Sequence, residues 1–229
     1  MRHALDYRAV GQHKTQAVVK VLEQLVPNLE VQTSEMNLTG QENNVLLGKA
    51  LADLGSCDVI IDATASLNVF RVLSDVALTY RNPLVWGRVF AGGIGGLLAR
   101  SRPNRDPEPA TLNGAYLAFC ETNPFAEAGS AVDYGSQQDD GVVVAASDAE
   151  VGIIAHYLAL LTLDTLIGSV EAQFPCALYL LGLKKAWVFQ QPFHVVPITP
   201  EASSTVWSHP ITEDGMSESL KVLKELLEL

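Results

Sequence analysis

The chain predicts an α/β fold with a largely parallel sheet and an antiparallel extension towards its C-terminus. Short apolar runs alternate with amphipathic helical segments from the start, the pattern of strands joined by helical crossovers. The run Asp58-Val-Ile-Ile-Asp62 ends on the small-residue turn Ala63-Thr64-Ala65-Ser66 and passes directly into helical spacing. A second apolar run, Pro83-Leu-Val-Trp-Gly87, follows that helix. Open parallel sheets bind ligands outside the carboxyl ends of their strands, so a crevice is expected where Asp62 ends its strand.

The elements follow in order. Val10 to Val26 spaces Val18, Val21, Leu22 and Leu25 as one helical face and stops at Pro27-Asn28. Leu29 to Thr33 is a strand candidate. Glu42 to Leu54 is a helix with Leu46, Leu47, Ala50 and Leu54 on a face. Asp58 to Asp62 is a strand, Leu67 to Tyr80 a helix carrying Val69, Leu73, Val76, Ala77 and Tyr80, and Leu84 to Phe90 a strand again.

Beyond this point the character changes. Gly92, Gly93, Gly95 and Gly96 do not complete a G-x-G-x-x-G fingerprint and read as a strand-to-strand turn or bulge. Leu97 to Arg102 is a strand, Asn104 to Pro109 a polar loop and Thr111 to Glu121 a helix. Asn123 to Asp140 reads as a long surface loop and Val142 to Ala145 as a strand. Ser147 or Asp148 caps the apolar helix that runs on to Ile167. Trp187 to Phe189 and His194 to Ile198 read as antiparallel strands, and Ser217 to Leu229 as a closing amphipathic helix. The division expected is residues 1–168 for the main domain and 169–229 for the extension.

Composition narrows the function classes. The 229 residues are 48% apolar, enough for one substantial core. Fifteen basic against 26 acidic residues give a net charge of −11, which repels polyphosphate backbones and argues against nucleic acid. Cys57, Cys120 and Cys176 are few, odd in number and far apart, which suits a reducing cytosol. His156 and Asp164 interrupt the most apolar stretch, so it reads as a buried or interface helix and no membrane partner is expected. No His pair has metal spacing.

Arg2-His3, Val10-Gly11-Gln12-His13-Lys14, the Asp62 turn, Pro83 to Gly87 and Gly92 to Gly96 together resemble the ThiF/MoeB/HesA family, prokaryotic relatives of ubiquitin-activating enzymes. The likeness covers roughly the first hundred residues, with a weaker match over Val142 to Ile167. It implies a Rossmann-like fold. It also implies an adenylyltransferase that uses magnesium ATP to activate the C-terminal carboxylate of a ubiquitin-like or sulfur-carrier protein. By position, Arg2 and Lys14 match the family's triphosphate-binding arginine and lysine, and Leu38 the apolar residue packed on adenine. Asp62 falls at the magnesium-binding turn. Fixed cations suit that chemistry, because carboxylate attack on a phosphate brings negative charges together.

The sequence departs from the family in three places. It opens where relatives have already completed a first strand, glycine-rich turn and helix, so a truncated domain that binds ATP weakly alone is expected. Ala65 stands where relatives carry a second carboxylate, and a methyl group binds no hard cation. A cysteine before the late helix is missing; Cys120, just ahead of the long loop, is the best remaining candidate for a catalytic thiol. The plainer readings stay open: Lys14 as a solvated lysine, Asp62 as a helix cap, Cys120 as a buried apolar residue. The alternative function is a non-catalytic scaffold that pairs with a carrier protein or an active homologue, as a homodimer or hetero-oligomer.

Overall fold

The computed structural model describes residues 5, 7–38, 44–124, 146–168, 172–200 and 206–207. In chain order these form α1 (Lys14–Leu25), α2 (Asn44–Gly55), β1 (Ile60–Asp62), α3 (Leu67–Tyr80), β2 (Leu84–Val89), β3 (Gly95–Ser101), α4 (Pro109–Thr122), α5 (Asp148–Ile167), β4 (Leu178–Gly182) and β5 (Val195–Pro197). Arg2, the Val142 to Ala145 strand and the Ser217 to Leu229 helix lie outside the described residues, as does most of the Asn123 to Asp140 loop.

The five strands form one sheet in the order β1-β2-β3-β4-β5. The class is the expected Rossmann-like α/β, but the balance of strand directions differs from a largely parallel sheet. Parallel pairing is confined to β1 and β2, and the other three pairs are antiparallel. Connection length explains this. A parallel pair needs a crossover, which α3 supplies, whereas β2 and β3 are joined by the short turn 90–94, compatible only with reversal. In that turn Gly92 and Gly93 have φ of 68° and 63° and form the expected strand-to-strand turn, whereas Gly95 and Gly96 already belong to β3.

Alternation along the strands splits the core into two layers. Leu84 and Trp86 of β2, Leu97 and Ala99 of β3, and Leu178 and Leu180 of β4 pack with Leu51, Phe70, Leu73, Val76 and Leu112 from α2, α3 and α4. Val85, Leu98, Tyr179 and Leu181 point the other way and pack with Ile154, Leu158 and Leu161 of α5. Each inner strand is buried on both faces, so β4 reads as a continuous apolar run. That is why alternation did not announce it.

Several elements match the sequence reading closely. α3 occupies Leu67–Tyr80 and is capped by Ser66, whose side chain accepts from Val69 N. α5 is capped by Ser147 in a reciprocal capping box with Glu150. Others differ. The buried side of α2 runs through Leu47, Leu51 and Leu54, while Leu46 is exposed. Residues 29–33 are not in a strand and expose Leu29 and Val31, because no described strand lies beside them to complete a ladder. Trp187 to Phe189 forms no strand; Ala186 and Phe189 close a tight turn through an isolated bridge.

α5 is, among the described residues, the one helix long and apolar enough to cross a membrane by length and composition. Its inner face packs on β2 and β3. Its outer face shows Leu160, Leu163, Leu166 and Ile167.

Candidate functional site

The carboxyl ends of β1 and β2 lie side by side, with Asp62 in register with Trp86. Asp62 is buried at 4% exposure. Its Oδ1 accepts hydrogen bonds from Thr64 N at 2.9 Å and Thr64 Oγ1 at 2.7 Å. Thr64 Oγ1 in turn accepts from Ser66 N at 3.3 Å. Asp62 thus braces the turn through Thr64, and the helix cap belongs to Ser66. The capping role considered for Asp62 is already filled. Its Oδ2 has no hydrogen-bond partner among the described residues and remains free for a ligand.

Ala65 sits in the left-handed region at φ 57°. A non-glycine residue there is uncommon, and Asp and Asn adopt this conformation more readily than Ala. The backbone of the turn therefore suits an acidic residue better than the alanine it carries. Among the described residues no group of three or more His, Cys, Asp or Glu side chains converges as a metal site. Asp62 Oδ2 fits a magnesium ion that takes one protein oxygen and its remaining ligands from phosphates and water.

Lys14 is the first residue of α1 and exposed, with no side-chain hydrogen bond or ion pair among the described residues. The helix start is braced by its neighbours: Gln16 Nε2 donates to Glu35 Oε1 at 2.8 Å, and His13 Nδ1 lies 3.3 Å from Glu35 Oε2. Only Ala17 of α1 is buried, so α1 is loosely held and no described contact joins Lys14 to Asp62. Leu38 is half-buried and packs on the α2 and α3 side of the core.

Cys120 lies near the end of α4, half-buried and hydrogen-bonded to Tyr116. Burial pushes its thiol up, and the Tyr116 bond only partly offsets this. A nucleophilic thiol needs the opposite shift. Tyr116 is raised too, first by burial and then by Cys120, with the Arg88 charge acting downward. Around this pair stands an aromatic group. Phe90 stacks on Tyr116 at 6.4 Å between centroids, and Trp187 meets both Phe90 and Phe119 edge-on. Trp187 Nε1 donates to Asn123 O at 2.6 Å.

Arg88 and this aromatic group went unnoticed in the sequence. One signal was available: Arg88 interrupts an apolar strand two places beyond the residue in register with Asp62. The four aromatic residues come from three separate segments, the turn after β2, α4 and the 187 region, and only folding brings them together.

The ThiF family model matches residues 2–191 of the chain. None of the curated proteins matches it. Among solved structures, the crystal structure of E. coli MccB is similar, with a TM-score of 0.52 and 13% identity. The match covers 91% of this chain and 54% of that one, so the chain spans about half the length of this solved structure. A likeness at this identity establishes a shared fold.

Proposed function

Because the chain belongs to the ThiF family, we propose that it forms an adenylation site at the carboxyl ends of β1 and β2, acting on the C-terminal carboxylate of a ubiquitin-like or sulfur-carrier protein. The observation that carries this reading is Asp62, buried and braced through one oxygen by Thr64, with its other oxygen unpartnered among the described residues beside β2. Bound magnesium ATP supplies an electrophilic α-phosphorus: a carboxylate oxygen bonds to it as the bond to the β-phosphate bridge breaks and pyrophosphate leaves.

The chain's own groups prepare this step. Thr64 fixes the Asp62 carboxylate so that Oδ2 is oriented before a ligand arrives, which lowers the cost of ordering it on binding. Asp62 is the protein oxygen for magnesium, and Leu38 the apolar contact for the base. Lys14, and Arg2 from outside the described residues, bring positive charge to the triphosphate. Placing Lys14 there requires α1 to settle against the crevice, and its slight burial permits that movement. With Ala65 in place of a second carboxylate, metal support is thin and nucleotide binding by the chain alone is weak. Three free thiols and the acidic composition suit the cytosol.

ATP–pyrophosphate exchange, measured with a carrier protein and magnesium, tests the reading. Exchange that disappears in both Asp62→Ala and Lys14→Ala supports it. Exchange that persists in Asp62→Ala defeats it.

A second reading, a non-catalytic scaffold, is favoured by Ala65 together with the outer face of α5. Leu160, Leu163, Leu166 and Ile167 are exposed along one helix, and apolar stripes of this kind are commonly covered by another protein surface. Absence of exchange with every carrier, together with a change of oligomeric state in Leu163→Glu, favours the scaffold.

A further inference from the structure

We propose that Arg88 is the residue that receives the carboxylate to be activated, an assignment that rests on the adenylation reading above. Asp62 and Trp86 are paired across the parallel β1–β2 ladder and project on the same side of the sheet. Arg88 is two residues further along an unbroken strand, so it occupies the same face one pleat nearer the carboxyl end of β2. Its charge reaches the Tyr116 phenol on α4, the helix that covers this face.

The arginine is half-buried and has no ion pair or hydrogen bond among the described residues. The other inward arginines of this region differ. Arg100 pairs with Asp164 and Arg102 with Asp106. In a chain with 26 acidic residues, a half-buried guanidinium without an acidic partner marks a place where the anion comes from outside. Trp86 repeats the pattern one step deeper, since its buried Nε1 also lacks an acceptor among the described residues. Two successive donors on one face of β2 therefore have no acceptor among the described residues.

A carboxylate suits this position. The planar guanidinium forms two parallel hydrogen bonds to a carboxylate and cannot be deprotonated near neutral pH. Phe90, two residues beyond Arg88, stacks on Tyr116 and meets Trp187 edge-on, an apolar wall for an extended peptide tail. Arg88 then holds the acid at the mouth of the crevice, while the phosphates belong to the Asp62 turn.

The test is calorimetric binding to the full chain of two glycine-terminated hexapeptides, one with a free α-carboxylate and one amidated. The acid is expected to bind about 10- to 100-fold tighter than the amide, as a charge-assisted pair implies. Arg88→Ala brings that ratio close to one and leaves magnesium ATP binding within about twofold, and Arg88→Lys retains part of the preference. Equal affinity for acid and amide in the wild type, or no binding of either, overturns the assignment. So does a ratio that survives Arg88→Ala. If Arg88→Ala does not fold, Arg88→Lys and Arg88→Gln decide by the same ratio. Acid preference that depends on Arg88, in a chain that shows no pyrophosphate exchange with any carrier, sinks the adenylation reading alone and leaves the carboxylate site standing.

Discussion

Arg100 on β3 and Asp164 on α5 meet inside the protein, with Nη1 donating to Oδ2 at 2.7 Å and side-chain exposures of 0% and 5%. Arg100 also donates to Thr165 Oγ1 and Phe174 O, and Asp164 Oδ1 accepts from Gln173 N. The pair therefore joins the middle of the sheet, the apolar helix and the segment that leads into β4. Arg100 Nε has no partner among the described residues, so the arginine depends heavily on this one carboxylate.

Asp164→Ala is expected to destabilise the protein by about 3–5 kcal/mol, because it leaves an arginine buried without its counter-charge. Replacing both partners by apolar residues, Arg100→Met with Asp164→Leu, should recover most of the loss. Urea midpoints for the wild type, the single and the double variant measure this. A double variant as unstable as the single one would show that packing, not charge, governs the site.

The same carboxylate predicts an acid transition. Burial pushes Asp164 up, but the Arg100 hydrogen bond, with the backbone donors of Gln173 and Phe174, outweighs it and holds the group below the ordinary carboxylate range. A depressed folded value means that the stabilisation is fully present above the unfolded pKa of about 4. It is lost as pH falls from there through the lower folded value. Urea titrations below neutral pH should show wild-type stability falling more steeply in acid than that of Asp164→Asn. Parallel curves would contradict the linkage.

At the proposed site, Ala65→Asp is expected to lower the magnesium concentration needed for half-maximal pyrophosphate exchange. It adds a second carboxylate beside Asp62, at a backbone position with φ 57° that an aspartate tolerates better than an alanine. Its stability should stay within about 0.5 kcal/mol of wild type, the usual range for a surface change. An unchanged magnesium dependence would remove the metal from this turn.

The cysteines should react in an order set by their surroundings. Cys57 is exposed, whereas Cys120 is half-buried, bonded to Tyr116 and raised by burial. Alkylation at neutral pH, followed by mass spectrometry of the peptides, should modify Cys57 well before Cys120, and Cys120→Ser should leave pyrophosphate exchange nearly unchanged. Rapid modification of Cys120, or loss of exchange on its replacement, would restore it as a catalytic thiol.

Local signals were legible where one segment carries its own boundary. Ser147 announces its helix because a side-chain oxygen bonds the first backbone amides wherever the helix later packs, whereas the cap of α3 is Ser66 and not the Asp62 considered for it. The Asp62 turn was likewise visible, since an apolar run closing on acidic and small residues needs no distant partner. Leu29 to Thr33 shows the limit. Its composition suits a strand, yet a strand exists only when a neighbour completes its hydrogen bonds. β4 failed in the opposite way, because a run buried on both faces has no alternation to read.

By itself, the sequence determined the α/β class, the helix α3, the helix α5 with its Ser147 cap, and the acidic turn at the end of β1. These depend on contacts among residues within a few positions of one another. Tertiary structure alone decided that β3 pairs with β4, that Arg100 finds Asp164, that Arg88 finds no acid among the described residues, and that Phe90, Tyr116, Phe119 and Trp187 meet. β3 with β4, Arg100 with Asp164, and Phe90 with Trp187 join segments far apart in the chain. Their pairing is fixed by which faces must be buried together, a condition that no local pattern contains.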